Sequence, residues 1–224
     1  MPTTVNKDKK KRVLSTNDRL SEVWGNPEEM TGVQTEILSK KKLLLFWSRE
    51  VYRYIKKNLS EHTVTLEMGS GSSLLWEHIP GLIRSNILFV KENDLVFSAF
   101  NIPFKDSSVG NIILINVLHH LQDPVAFFEE AERVLKPGGG LYISTVGPKH
   151  EIYNLSKPLG NHENLIQDFG FRSGERFFFF DNERYLDYYL SKIFTNVETG
   201  RVTEKLMTMD LDFLISYATK PLDN

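Results

Sequence analysis

The stretch "TVTLEMGSGSSLL", residues 63–75, constrains the fold of this chain more than any other. An apolar run, Val64 to Met68, ends on two glycines spaced by one residue, and a second apolar run starts at Leu74. Glycine weakens a strand and frees φ, so two of them here mark a sharp exit from a buried strand, where a ligand can lie against bare backbone. A strand–turn–helix unit of this kind implies an α/β sheet that holds ligands at the carboxyl ends of its strands.

The chain beyond this unit alternates in the same way. "SSLLWEHIPGLI" predicts a short helix closing near Pro80-Gly81, and "NILFV" and "DLVFSA" predict two short strands. "GNIILINVL" is a continuous apolar run, the mark of a strand buried on both faces. Asp123-Pro124 opens a helix, because Asp caps well and Pro suits the first helical position. In "PVAFFEEAERVL" the residues Phe127, Ala131 and Val134 share one face; "KPGGG" stops the helix and "LYISTV" is the next strand. Strands separated by helices predict a mostly parallel sheet with helices on both faces.

Upstream, "EILSKKKLLLFWSREVYRYIKKNL", residues 36–59, repeats Leu44, Trp47, Val51 and Ile55 at helical spacing. That predicts an amphipathic helix, packed on its own domain or laid basic face first on a membrane surface. Residues 147–185 break the alternation with the run "RFFFF" and are expected to form an insertion over the carboxyl edge. His150, Tyr153, His162 and Arg172 in it could reach a substrate. "RFFFF" reads either as a pocket lining or as a buried strand. "NERYLDYYLSKIF" predicts a helix, and the sequence closes with an antiparallel strand pair at about residues 194–220.

With 224 residues the chain suits one large domain over 20–224, with a core at 60–146, after a flexible basic tail at 1–19 that holds "NKDKKKR". A formal net charge of −2 gives no argument for nucleic acid, and none is expected as a partner. The absence of cysteine removes disulfides, thiol chemistry and Cys-ligated metals. The six histidines form no ligand-like cluster with carboxylates, so no metal is assigned. The longest apolar runs are too short to span a bilayer. A cytoplasmic protein is expected, and a homodimer is compatible with the sequence.

Dinucleotides and S-adenosylmethionine are the two cofactor classes held by such glycine turns. The dinucleotide fingerprint needs a third glycine where this chain has Leu74, which would crowd the helix–strand contact. Downstream, "NIPFKDSSVGNIILINVLHHLQDPVAFFEEAERVLKPGGGLYIS", residues 101–144, together with "LEMGSG", resembles the class I S-adenosylmethionine-dependent methyltransferases. The likeness is to small-molecule enzymes of the methyltransferase type 11 group, with their "LPF.D.SFD" turn, "LHH" strand end and "RVLKPGG" helix end. It implies a Rossmann-like, doubly wound, mostly parallel seven-stranded sheet with a C-terminal antiparallel strand pair.

The same resemblance implies a cofactor site. Its first motif falls on Glu67, Gly69, Ser70 and Gly71, which would hold the methionine end of the cofactor. An acid after the second strand would take the ribose hydroxyls; Glu92, 21 residues beyond Gly71, is the candidate and Asp94 its rival. Where the family has Asp-Ala against the adenine, this chain has Ser98-Ala99, followed by Phe100. Asn116, Val117, Leu118 and His119 would line the methionine and the methyl acceptor. Gly110-Asn111 replaces the family's "FD".

The implied reaction is methyl transfer to a small molecule. Its catalytic demand is alignment of acceptor, methyl and sulfur; a base is needed only where the acceptor keeps its proton. His119 is the candidate base, and packing beside the cofactor is its alternative role; His120 reads as structural. The other reading of the whole chain is a methyltransferase-like domain without catalysis that serves binding or assembly.

Overall fold

Val109–Ile115 (β4) forms the centre of the sheet because its side chains are apolar in both directions. Ile112 and Leu114 enter one fully buried cluster and Ile113 the other, so each face of the sheet carries its own core. The computed structural model describes residues 42–71, 73–121, 123–146, 183–206 and 209–222, with Glu29, Gly32 and Glu36. The basic tail and the 147–182 part of the insertion, with Tyr153, His150, His162, Arg172 and "RFFFF", lie outside the described residues.

Helix α1 spans Lys42–Asn58 and precedes β1, Thr65–Met68. Strands β2, Ile83–Asn86, and β3, Leu95–Val96, come before β4. Helix α2, Pro124–Val134, leads directly into β5, Leu135–Val146, and helix α3, Glu183–Leu190, precedes β6, Thr195–Leu206, and β7, Met209–Thr219. The order across the seven-stranded sheet is β3-β2-β1-β4-β5-β7-β6. Strands β1 to β5 pair in parallel, and β7 runs antiparallel between β5 and β6. This is the doubly wound α/β sheet expected from the sequence, with its closing strand pair.

One face is covered by Val51, Tyr52 and Ile55 of α1, which pack with Leu75, Ile79, Leu82, Ile113 and Tyr142. The Tyr142 hydroxyl donates to the Asn58 carbonyl and fastens the end of α1 to β5. The opposite face receives Phe127, Phe128, Ala131 and Val134 of α2, and Leu186 and Leu190 of α3. Truncating any one of these buried large side chains to Ala should cost about 2–5 kcal/mol. Asp123 caps α2 as its sequence predicts, accepting the Ala126 N–H at 3.0 Å.

Four local expectations are corrected. The second strand is Ile83–Asn86 and not the apolar run 86–90. The third strand is only Leu95–Val96. The helix expected over residues 72–83 is a single tight turn, Leu75–Glu77. The "KPGGG" segment lies within β5, where pairing jumps from Val109↔Leu135 to Asn111↔Gly140 and the residues between bulge out. Among the described residues no helix is long and apolar enough to cross a membrane.

Candidate functional site

The carboxyl ends of β1, β4 and β5 meet at one edge, where strand-exit geometry sets the site. Gly69 and Gly71 have φ of 65° and 42°, left-handed values that glycine adopts without strain. A Cβ on Gly69 would stand 2.5 Å from Val117 Cγ2, so the glycine turn lies directly against the end of β4. There Asn116 has φ of 56°, which Asn tolerates better than most residues, and its N–H bonds to the Ser144 carbonyl at 2.8 Å. The chain thus turns off the sheet at Asn116 and leaves this side chain exposed at the edge.

Ser70 ties the turn to β2. Its N–H reaches the Ser85 carbonyl at 2.9 Å, and its hydroxyl donates to Asn93 Oδ1 at 2.7 Å. Ser85 in turn donates its hydroxyl to the Glu67 carbonyl at 2.9 Å.

Glu67 itself points away from the face that takes Leu66 and Met68, as strand alternation requires. It is 1% exposed, and neither carboxylate oxygen has a hydrogen-bond partner. Ser73 is beside it, but no bond of proper geometry joins them; the Ser73 hydroxyl oxygen accepts the Leu75 N–H at 3.1 Å. Burial dominates the ionisation of Glu67 and pushes its pKa up to about 8, against smaller downward pulls from Ser73 and the Arg84 guanidinium. At neutral pH this carboxyl is therefore mostly protonated, and a cation brought beside it would ionise it.

Ser98 is half-buried, and its hydroxyl oxygen accepts the Phe100 N–H at 3.2 Å. Its carbonyl accepts the Asn101 N–H, which closes a turn over Ala99 and Phe100. Phe100 stands exposed. His119 is 6% exposed, with Nδ1 3.2 Å from Thr145 Oγ1 at the end of β5. The His120 ring lies 4.2 Å from that of His119, centre to centre, and desolvation lowers its pKa to about 4, so it is neutral at physiological pH.

Glu67, Gly69, Ser70, Gly71, Asn116, Val117 and His119 therefore stand on the ends of β1 and β4, which are neighbours in the sheet. Ser98, Ala99 and Phe100 follow the end of β3. Glu92 is an exposed residue of the connection between β2 and β3, six positions beyond the last residue of β2. Asp94 is committed elsewhere: Oδ2 accepts the Arg84 N–H at 2.8 Å and lies 3.6 Å from Arg84 Nε.

Residues 66–143 match the methyltransferase domain family. The match runs from β1 to β5 and carries the likeness of this segment to methyltransferases. Solved structures of the same fold include a SAM-dependent methyltransferase of Thermotoga maritima, with 17% identity and a TM-score of 0.58 over 83% of this chain and 97% of that one. Another, from Methanosarcina mazei, has 20% identity and a TM-score of 0.57 over 76% and 98% of the two chains. A third is phosphoethanolamine N-methyltransferase 2 of Haemonchus contortus, in complex with phosphomonomethylethanolamine and S-adenosylhomocysteine. It has 15% identity and a TM-score of 0.56 over 93% of this chain and 61% of that one. At such identities the likeness is one of fold. No curated protein matches the sequence.

Three residues act on the site that were not named as site residues from the sequence. Asn93 reaches the glycine turn through Ser70, Tyr52 reaches it from α1, and Asn111 braces the strand that carries the edge. Asn111 Oδ1 accepts the Ser60 N–H at 3.0 Å, and Nδ2 donates to the Ser60 carbonyl at 3.0 Å and Thr65 Oγ1 at 2.9 Å. The replacement of the family's "FD" by Gly110-Asn111 thus keeps a polar anchor at the start of β4. Only Asn111 carried a readable signal, a polar residue inside an apolar strand, which requires buried partners.

Proposed function

We infer that this chain transfers a methyl group from S-adenosylmethionine to a small-molecule acceptor in the cytoplasm. The observation that carries the reading is the Glu67 carboxyl, buried and without a partner beside a turn of two left-handed glycines. A buried polar group left unpaired is costly, so such a group points to a partner that is not part of the chain. The ammonium of the cofactor's methionine end suits this acid, and the glycine turn gives a ligand access to backbone amides.

S-adenosylmethionine supplies, when bound, an activated methyl on a sulfonium. The protein's own work is to hold and dehydrate the reactants. Glu67 ionises against the ammonium, and the Gly69-Ser70-Gly71 backbone fixes the methionine end. Glu92 is the candidate for the ribose hydroxyls. Ser98 offers an acceptor and Ala99 and Phe100 a wall for the adenine. Asn116 and Val117 border the reacting end. In the tautomer that donates Nδ1–H to Thr145 Oγ1, the basic nitrogen of His119 is Nε2, which can take a proton from an acceptor that carries one.

Calorimetric titration with S-adenosylmethionine and with S-adenosylhomocysteine tests this. Saturable one-to-one binding of both is expected, followed by cofactor-dependent methyl incorporation into a metabolite extract. A second reading, a domain that binds without catalysis, is favoured by the end of β2. The residues there are Asn86, Ile87, Leu88 and Phe89, with no acid, and the last three are exposed. Failure of both ligands to bind selects that second reading.

A further inference from the structure

The glycine turn is gripped from outside the sheet by a side chain of α1. Tyr52 is 3% exposed, and its hydroxyl oxygen accepts the Leu74 backbone N–H at 3.2 Å, across 22 residues of sequence. Ser73 and Ser48 lie beside the same hydroxyl, and burial above all, with a smaller contribution from the Glu67 carboxyl, disfavours its ionisation. The His78 ring packs at 5.5 Å, centre to centre. Tyr52 belongs to a buried apolar cluster that also holds Leu75, Ile113 and Tyr142. This bond also explains the shortness of the turn that follows: the Leu74 and Leu75 N–H groups go to Tyr52 Oη and Ser73 Oγ and not to helical carbonyls.

We propose that Tyr52 is a positioning residue of the cofactor site, its hydroxyl fixing the Ser73-Leu74 end of the glycine turn beside Glu67. The inference rests on the cofactor reading above for its effect on affinity. Its effect on the turn stands on the hydrogen bond alone. A phenol is suited to the task because one end packs in the core while the other makes a polar bond. Phenylalanine would keep the packing and leave the Leu74 N–H unpaired.

The test uses the full chain and the variant Tyr52→Phe, with two readouts. Native-state amide exchange should show the Leu74 amide exchanging at least about tenfold faster, while β4 and β5 amides keep their protection; loss of one buried bond is worth that factor. Titration with S-adenosylhomocysteine should show binding weakened by about tenfold, the same factor. A uniform loss of protection, as from simple loss of packing, overturns the proposal. So does an unchanged Leu74 amide, and so does an unchanged dissociation constant. If the unmodified protein binds no cofactor, the functional reading fails first and Tyr52 has no cofactor site to position. Binding by the unmodified protein with no change in Tyr52→Phe fails the inference alone.

Discussion

Arg133 Nη2 on α2 donates to the Ile102 carbonyl at 3.0 Å, and Nη1 of the same guanidinium donates to the Phe104 carbonyl at 3.1 Å. Glu130, one turn earlier, accepts the Ile102 N–H at 2.7 Å and is itself held by Arg133 Nε at 2.8 Å. Two motifs far apart in the chain, "NIPFKD" and "AERVLKPGG", are thus one hydrogen-bonded unit. It anchors the loop that follows Ser98, Ala99 and Phe100.

Arg133→Lys should therefore do more than a conservative change normally does. An ammonium cannot serve two carbonyls and the carboxylates of Glu130 and Asp106 in one plane. A loss of about 1–3 kcal/mol is expected for the hydrogen bonds given up, read as a fall in melting temperature of several degrees. An unchanged melt would show that the loop holds itself.

The central elements were legible because their side chains repeat the environment that buries them. Ile112 to Ile115 is apolar in succession and is packed on both sides. The second strand was not legible, because the real strand is polar and the apolar Ile87, Leu88 and Phe89 next to it are exposed. Arg84, Ser85 and Asn86 sit in β2 with partners: Arg84 pairs with Asp94, Ser85 donates to the Glu67 carbonyl, and Asn86 Oδ1 accepts the Ile87 N–H. Ile87, Leu88 and Phe89 stay exposed among the described residues. Hydrophobicity alone placed the strand at 86–90, of which only Asn86 lies in β2. The glycine turn was legible for the opposite reason, since its need for left-handed φ is written in the residue type.

Glu67 makes stability depend on pH with an unusual sign. Its folded pKa of about 8 lies above the ordinary carboxylate value. Between the two values the folded state holds a proton that the unfolded state has lost, so stability falls as pH rises through this window and levels off above about 8. Glu67→Gln removes the titration. The variant should gain on the parent in melting temperature from about pH 4.5 to about pH 8, at up to about 1.4 kcal/mol per pH unit. Parallel melting curves across that range would mean that Glu67 is solvated. The same variant should bind S-adenosylmethionine weakly at every pH, whereas the parent's affinity should rise from pH 6 toward about 8 as ionising Glu67 becomes easier.

The contact of Gly69 with Val117 can be tested by compensation. Gly69→Ala places a methyl 2.5 Å from Val117 Cγ2 and also forces a left-handed φ on alanine. The single variant should lose about 1–3 kcal/mol of stability and its cofactor binding. Adding Val117→Ala relieves the collision but not the backbone strain, so stability should return only in part. Full recovery would show that the backbone at this position is free to relax.

Ser98 distinguishes a working cofactor pocket from an abandoned one. Its hydroxyl oxygen already accepts the Phe100 N–H, a local turn bond that an aspartate can also make, so Ser98→Asp leaves the loop's own geometry satisfied. The carboxylate brings what serine lacks, a charge and a longer reach toward an adenine amino group. In a pocket that holds the cofactor, affinity for S-adenosylmethionine should tighten by roughly 1 kcal/mol, the net worth of one hydrogen bond. In a pocket closed by side chains, the new carboxylate is pressed into apolar surroundings without a partner, and the melting temperature falls with no binding gained. Titration and a thermal melt with and without cofactor read the two outcomes on one protein. Tighter binding with an unchanged melt is expected, and a destabilised variant that ignores the cofactor would assign the domain to binding or assembly.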